Sequence, residues 1–234
     1  MLKDQSDSLP AGIVSSTRRL FLVMLGWGEK SAPEGEKAVA ALAKRRYTLE
    51  EYLELEKHTA ERYEYCGGEV VAMSGASLRH NRIVRNLMRA IDARLEGKPC
   101  EVLPTDMRIK VPKALPYRYA DLVVVCGEPL LEDLQGVEIL VNPLVIIEVL
   151  SASTEAYDRG IKFFEYQSIA SFQAYVLIAQ DRPYITHYVR QNSGQWLRSD
   201  LYGVAEPLGL PALDCAIPVT EIYRQVPLLL QDES

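Results

Sequence analysis

Cysteine is scarce and scattered. Cys66, Cys100, Cys126 and Cys215 lie at least 26 residues apart, so there is no CxxC pair and no zinc-ligand spacing. The four read as reduced thiols of a cytoplasmic protein. Long apolar runs are missing too. The longest near the N-terminus, LFLVMLGW at 20–27, falls far short of the ~20 residues a membrane helix needs, and Asp4 and Asp7 spoil the basic start of a secretory signal. Nor is there an excess of positive charge. With 26 Lys and Arg against 32 Asp and Glu the net charge is −6, so any nucleic-acid contact has to come from a local basic patch rather than from global attraction. No GxSxG and no Cys–His pair supplies an activated nucleophile, which argues against a small-molecule hydrolase. Internal repeats and low-complexity segments are absent as well.

What is present is ordinary globular material: 48% hydrophobic and 25% charged residues over 234 positions, enough to bury a full core. The reading is one main domain over 46–226. A flexible extension at 1–45, interrupted by Pro10, Gly12, Pro33 and Gly35, precedes it, and a short tail at 227–234 follows. Thr48 with Glu51 three residues on forms a capping box that opens a short helix to about Glu56. RYEYCGGEVVAM reads as a hairpin turning at Gly67-Gly68.

A long helix is predicted from Leu78 to Glu96, closed by Gly97. It gathers His80, Ile83, Val84, Leu87, Met88, Ile91 and Leu95 on one face and Arg79, Arg82, Arg85 and Arg89 on the other. On spacing alone His80 reads as a core histidine with one hydrogen bond, and the arginines as a solvated face or a phosphate clamp. DMRIKV, YADLVVVC and LVIIEVLS read as neighbours in a central sheet, the last nearly continuous as a doubly covered strand would be. A helix over about Thr154–Ser168 then leads to QAYVLIAQ, a β-α-β unit with a right-handed crossover. Hairpin strands YITHYVR and QWLRSDLY, a stretch to about Leu210 and a helix near 219–225 complete an α/β (α+β) chain with a mixed sheet and additional β-hairpins.

Two positions invite chemistry. Asp121 opens one core strand and Glu148 stands towards the end of another, and two carboxylates brought together at a sheet's edge stay ionised cheaply only if a cation bridges them. Mg²⁺, a hard ion, is the natural bridge, and with a lysine to hold water it suits phosphodiester hydrolysis. The plainer alternative is a pair of solvated carboxylates, with Lys162 on the surface paired to Asp158 at i, i+4.

Taken in order, RYEYCGGEVVAM…H, YADLVVV, LVIIEVLSAST…D…K…Y and YVLI resemble the Uma family of restriction endonucleases, a branch of the PD-(D/E)XK nuclease superfamily, over roughly 46–226. The resemblance implies a restriction-endonuclease-like core, a central mixed sheet flanked by helices. Asp121 would be the motif aspartate and Glu148 the motif acid, both binding Mg²⁺ or Mn²⁺. The superfamily's usual lysine place is Leu150 here, and the family pattern carries the lysine on the next helix, matching Lys162. Ala120 departs from the family's proline before the aspartate. Glu64, Gly68 and His80 also fall on family positions, with Glu64 and His80 in supporting or water-positioning roles. The expected partner is DNA, steered by Arg79, Arg82, Arg85 and Arg89. The other reading of the same fold is a non-catalytic nucleic-acid-binding or interaction module. A nuclease that cuts both strands commonly works as a homodimer, and YITHYVR is the candidate edge.

Overall fold

The computed structural model describes residues 45–59, 62–73, 75–104 and 107–228, so the expected extension lies, except for Arg45, outside the described residues. The chain divides into two compact units at Met73/Ser74. In the first unit, α1 (Leu49–His58) starts from the expected capping box: Thr48 Oγ1 accepts from Glu51 N–H and Glu51 Oε2 from Thr48 N–H. The hairpin of β1 (Tyr63–Cys66) and β2 (Glu69–Ala72) turns at Gly67 and Gly68, whose φ of 56° and 94° explains the glycines. Tyr52 OH donates to Tyr63 O at 2.7 Å, and Glu56 Oε1 accepts from Tyr63 N–H at 2.9 Å, tying helix to hairpin.

The second unit opens with α2 (Leu78–Leu95), where Ser77 caps by accepting from His80 N–H and Gly97 at φ 76° follows the end. Its Ile83, Leu87, Ala90, Ile91 and Leu95 are core residues, as the helical period requires. Then come β3 (Cys100–Pro104), β4 (Arg108–Ile109), β5 (Arg118–Tyr119), β6 (Leu122–Cys126), β7 (Leu131–Leu134), β8 (Val137–Leu140) and β9 (Val145–Leu150). A continuous helical stretch follows as α3 (Glu155–Tyr157), a π-helical turn (Asp158–Lys162) and α4 (Phe163–Tyr166). After it run β10 (Ala174–Ala179), β11 (Tyr184–Arg190), β12 (Trp196–Tyr202), β13 (Leu208–Leu210), β14 (Cys215–Ile217) and α5 (Val219–Ile222).

Among the described residues the central sheet has six strands in the order β12-β11-β10-β9-β6-β3, with β9 and β10 parallel and the remaining pairs antiparallel. Every residue of β9 and β10 is buried, as expected of strands covered on both faces. Three sequence expectations are corrected. Among the described residues of DMRIKV, only Arg108 and Ile109 form a strand, β4. That strand belongs to a separate four-stranded sheet, β5-β4-β8-β7, while β3 takes the place next to β6. The rigid ring of Pro112 and the short run leave too little strand there to join the larger sheet. YITHYVR is no edge: β11 is paired on both sides, and β12 and β3 are the outer strands among the described residues. Cys100 and Cys126 are not reduced thiols. They stand opposite each other in the β3–β6 register and are joined as a disulfide, leaving Cys66 and Cys215 free.

Candidate active site

Asp121 immediately precedes β6. The recorded β6–β9 ladder begins at Leu122 opposite Ile147, so Asp121 stands one step beyond it, level with Glu148. Its Oδ2 takes over where the ladder stops, accepting from Val149 N–H at 2.7 Å, and also lies 3.0 Å from His80 Nε2. The same carboxylate therefore pins the end of β9 and the first turn of α2. His80 Nδ1 is buried with no hydrogen-bond partner among the described residues, so the ring's polar contact is to Asp121.

Glu148 is the one charged residue in β9, with a side chain only 6% exposed. Its Oε1 lies 2.9 Å from Lys162 Nζ and 3.2 Å from the Tyr166 hydroxyl. Lys162 is itself buried and stands 3.6 Å from Asp158 Oδ1. It is therefore not the surface lysine of the plainer alternative. The i, i+4 pair with Asp158 exists, but both partners face the sheet, and the closer contact is to Glu148. Along the helical stretch Asp158, Lys162 and Tyr166 are buried while Ile161 and Phe164 are each 59% exposed. Two charged side chains are thus turned in while two apolar ones are turned out. Single π turns of this kind inside α-helices often occur at functional sites. The stretch is held in place by a bidentate ion pair from Arg118, preceding Asp121, to Glu165 at 2.9 and 3.0 Å. Tyr175 OH adds a bond to Asp158 O at 3.1 Å.

Burial holds the Glu148 carboxyl well above the ordinary carboxylate range. The Lys162 ammonium pulls it back down, while the charges of Asp158 and Asp121 push it further up. Glu148 and Asp158 thus share one lysine, with the Asp121 charge also acting on Glu148, a local crowding of carboxylates suited to a divalent cation. Asp121 Oδ1 and Glu148 Oε2 engage no hydrogen bond among the described residues and supply hard oxygen donors. The residues fit Mg²⁺, although no group of three or more His, Cys, Asp or Glu side chains converges on one point among the described residues.

Of the residues singled out from sequence, Asp121, Glu148, Lys162 and His80 come together. Glu64 stands on β1 of the first unit, opposite Val71. On α2, Arg82 Nη1 donates to Gln225 O at 2.7 Å and Arg85 Nη2 to Asn86 Oδ1 at 3.0 Å, so both are engaged in holding the C-terminal segment or its anchor. No hydrogen bond or ion pair holds Arg79 or Arg89 among the described residues. Asp158 entered the sequence reading only as a surface partner of Lys162, and Tyr166 only as the last letter of the D…K…Y motif; both are members of the site. Their signal was the 158–162–166 spacing, which puts all three on one helical face.

The chain is similar to known proteins in sequence and in fold. Residues 49–219 match the model of the Uma2 family, described as "Putative restriction endonuclease". "Uncharacterized protein sll1609" of Synechocystis sp. is 35% identical over 156 residues, 67% of this chain and 88% of its own length. "Uncharacterized protein slr1290" of the same organism is 34% identical over 175 residues, 75% of this chain and 90% of its own. Among solved structures, a "putative nuclease belonging to DUF820" from Anabaena variabilis superposes with a TM-score of 0.62, covering 76% of this chain and 97% of that one. At 16% identity it establishes a shared fold. With about three quarters of its length matched by the family model and its mixed α+β fold found in that neighbour, the chain belongs to the Uma2 family of restriction-endonuclease-like proteins.

Proposed function

We propose that the protein is a Mg²⁺-dependent endonuclease that hydrolyses phosphodiester bonds in DNA. The observation that carries this reading is a buried lysine, Lys162, 2.9 Å from the buried carboxylate of Glu148, with Asp121 just before the neighbouring strand β6. A buried ion pair adds little to stability, because desolvation offsets most of the attraction. Asp121 and Glu148 would hold the ion, with Mn²⁺ as a substitute, and when bound it supplies a Lewis acid for the phosphoryl oxygen and a more acidic water. Hydrolysis consumes one water, forms one P–O bond, breaks one P–O ester bond and returns a proton to the leaving oxygen. Lys162 Nζ, a donor fixed by Glu148 and Asp158, orients the attacking water and balances charge developing on the phosphate. His80 holds the Asp121 carboxylate in place, and Tyr166 OH does the same for Glu148. Glu64 is retained as a supporting group, and DNA is the substrate the family description favours.

The test is calorimetric titration with Mg²⁺, run beside incubation of the protein with supercoiled and linear DNA with and without the ion. Wild type is expected to bind and cleave, and Asp121→Asn or Glu148→Gln to lose both. Retained binding in both variants would place the metal elsewhere. Metal binding without cleavage of any DNA form would leave the non-catalytic module.

A further inference from the structure

Among the described residues β12 is an outer strand of the central sheet with no partner on its far side, and its sequence matches itself in residue type when reversed. Trp196-Leu197-Arg198-Ser199-Asp200-Leu201-Tyr202 has an aromatic residue at each end, leucine next in, opposite charges flanking the centre and serine in the middle. We propose that β12 pairs antiparallel with β12 of a second copy about a two-fold axis at Ser199, joining two six-stranded sheets into one. This assignment is independent of the nuclease reading.

Backbone parity supports the register. Gln191 N–H donates to Gln195 O at 2.7 Å and Gly203 N–H to Pro183 O at 2.9 Å. With the β11–β12 pairing, residues 197, 199 and 201 therefore bond inward to β11, and Trp196, Arg198, Asp200 and Tyr202 present their N–H and C=O groups outward. Rotation about Ser199 sets Arg198 opposite the partner's Asp200 and Trp196 opposite the partner's Tyr202, so outward groups meet outward groups. A centre one residue away would still satisfy the backbone but would oppose like charges, Arg198 on the partner's Arg198 or Asp200 on the partner's Asp200.

Side chains agree with the backbone. Arg198 Nε and Asp200 Oδ2 are 3.0 Å apart on one face of the strand, so the two-fold closes a ring of two positive and two negative charges. On the other face, Leu197, 56% exposed, meets the partner's Leu201. Tyr202 is 76% exposed and stacks on Tyr184 at 4.9 Å, leaving its outer face for the partner's Trp196. Charges in the middle of an edge strand normally prevent promiscuous pairing. Here their alternation rejects uncharged strands and selects one partner in one register, the occupant being a second copy of this chain.

The full chain is examined by sedimentation equilibrium and by cysteine cross-linking. Wild type is expected to be a dimer. Arg198→Asp should weaken it at least roughly tenfold, since like charges directly opposite destabilise a pair twice over, and Arg198→Asp combined with Asp200→Arg should restore it. Ser199→Cys should give a covalent dimer on mild oxidation, and Leu197→Cys should not, while Leu197→Cys with Leu201→Cys should. The cross-links need no change at Asp200, so a misfolded charge swap leaves them decisive. A chain that is monomeric at all concentrations overturns the proposal. So does a dimer that tolerates Arg198→Asp and fails to cross-link at 199.

Discussion

The two faces of the central sheet are built from the same strands and differ in chemistry. Towards α2 the sheet presents Leu122, Val124, Val145, Ile147, Val149, Val176 and Ile178, an apolar layer against Ile83, Leu87 and Ile91. Towards the 155–166 helical stretch it presents Val123, Ile146, Leu150, Tyr175 and Leu177, packed with Tyr166 and Phe172 and interrupted by Glu148, Asp158 and Lys162. β9 serves both: Ile147 and Val149 point one way, Ile146, Glu148 and Leu150 the other. Burial alone stabilises the first face. The second gives up some of that stabilisation to keep charges out of water, which it can do only because each charge has a partner within hydrogen-bond or ion-pair reach.

The contrast is sharpest at Lys162. Lys162→Ala is expected to lower turnover by roughly 10²–10⁴-fold, the range of one positioned proton-transfer or donor group. It should also cost about 3 kcal/mol of stability, because Glu148 and Asp158 lose their shared cation. Single-turnover cleavage and urea unfolding read the two effects, and full activity in this variant would remove Lys162 from the chemistry. Ile147→Ala, one residue from Glu148 but on the apolar face, should cost about 2–5 kcal/mol by cavity formation while metal binding is unchanged. If it abolished metal binding instead, the two faces would not be separable.

His187 tests whether the apolar side tolerates charge. It is 7% exposed, its Nε2 has no hydrogen-bond partner among the described residues, and burial lowers its pKa from 6.5 to about 4. Between those values the unfolded chain binds the proton and the folded chain does not, so stability is full above pH 6.5 and is lost as pH falls towards about 4. The loss is up to about 3 kcal/mol. In His187→Gln the unfolding free energy measured across that window should be flatter, and an unaltered slope would assign the acid sensitivity elsewhere. The smallest effect concerns α2. Arg82→Ala should cost about 1 kcal/mol through its lost bond to Gln225 and leave the salt dependence of DNA binding unchanged. Arg79→Ala or Arg89→Ala should lower the salt slope by about one unit if either touches phosphate.

Local rules made much of this protein legible before its structure. The Thr48–Glu51 box, the Gly67-Gly68 turn, the apolar stripe of α2 and the unbroken apolar runs of β9 and β10 all depend on residues a few positions apart. Asp121, Glu148 and Lys162 stood out through a carboxylate at the start of one strand, another within a buried one, and an ordered set of motifs. What misled was length and context. DMRIKV alternates like a core strand, yet only Arg108 and Ile109 pair, and in the smaller sheet.

By itself the sequence determined α1, the β1–β2 hairpin, α2 with its buried face and the buried strands β9 and β10, because caps, glycine turns and hydrophobic period act within one or two turns of chain. Only the tertiary structure decided that Cys100 meets Cys126 across 26 residues, that β12 and not β11 is the edge, and that Lys162 turns inward to Glu148. Those outcomes depend on strand register and on which face of a helix packs against the sheet. Both are set by the summed burial of many distant residues, so no short stretch of sequence contains them.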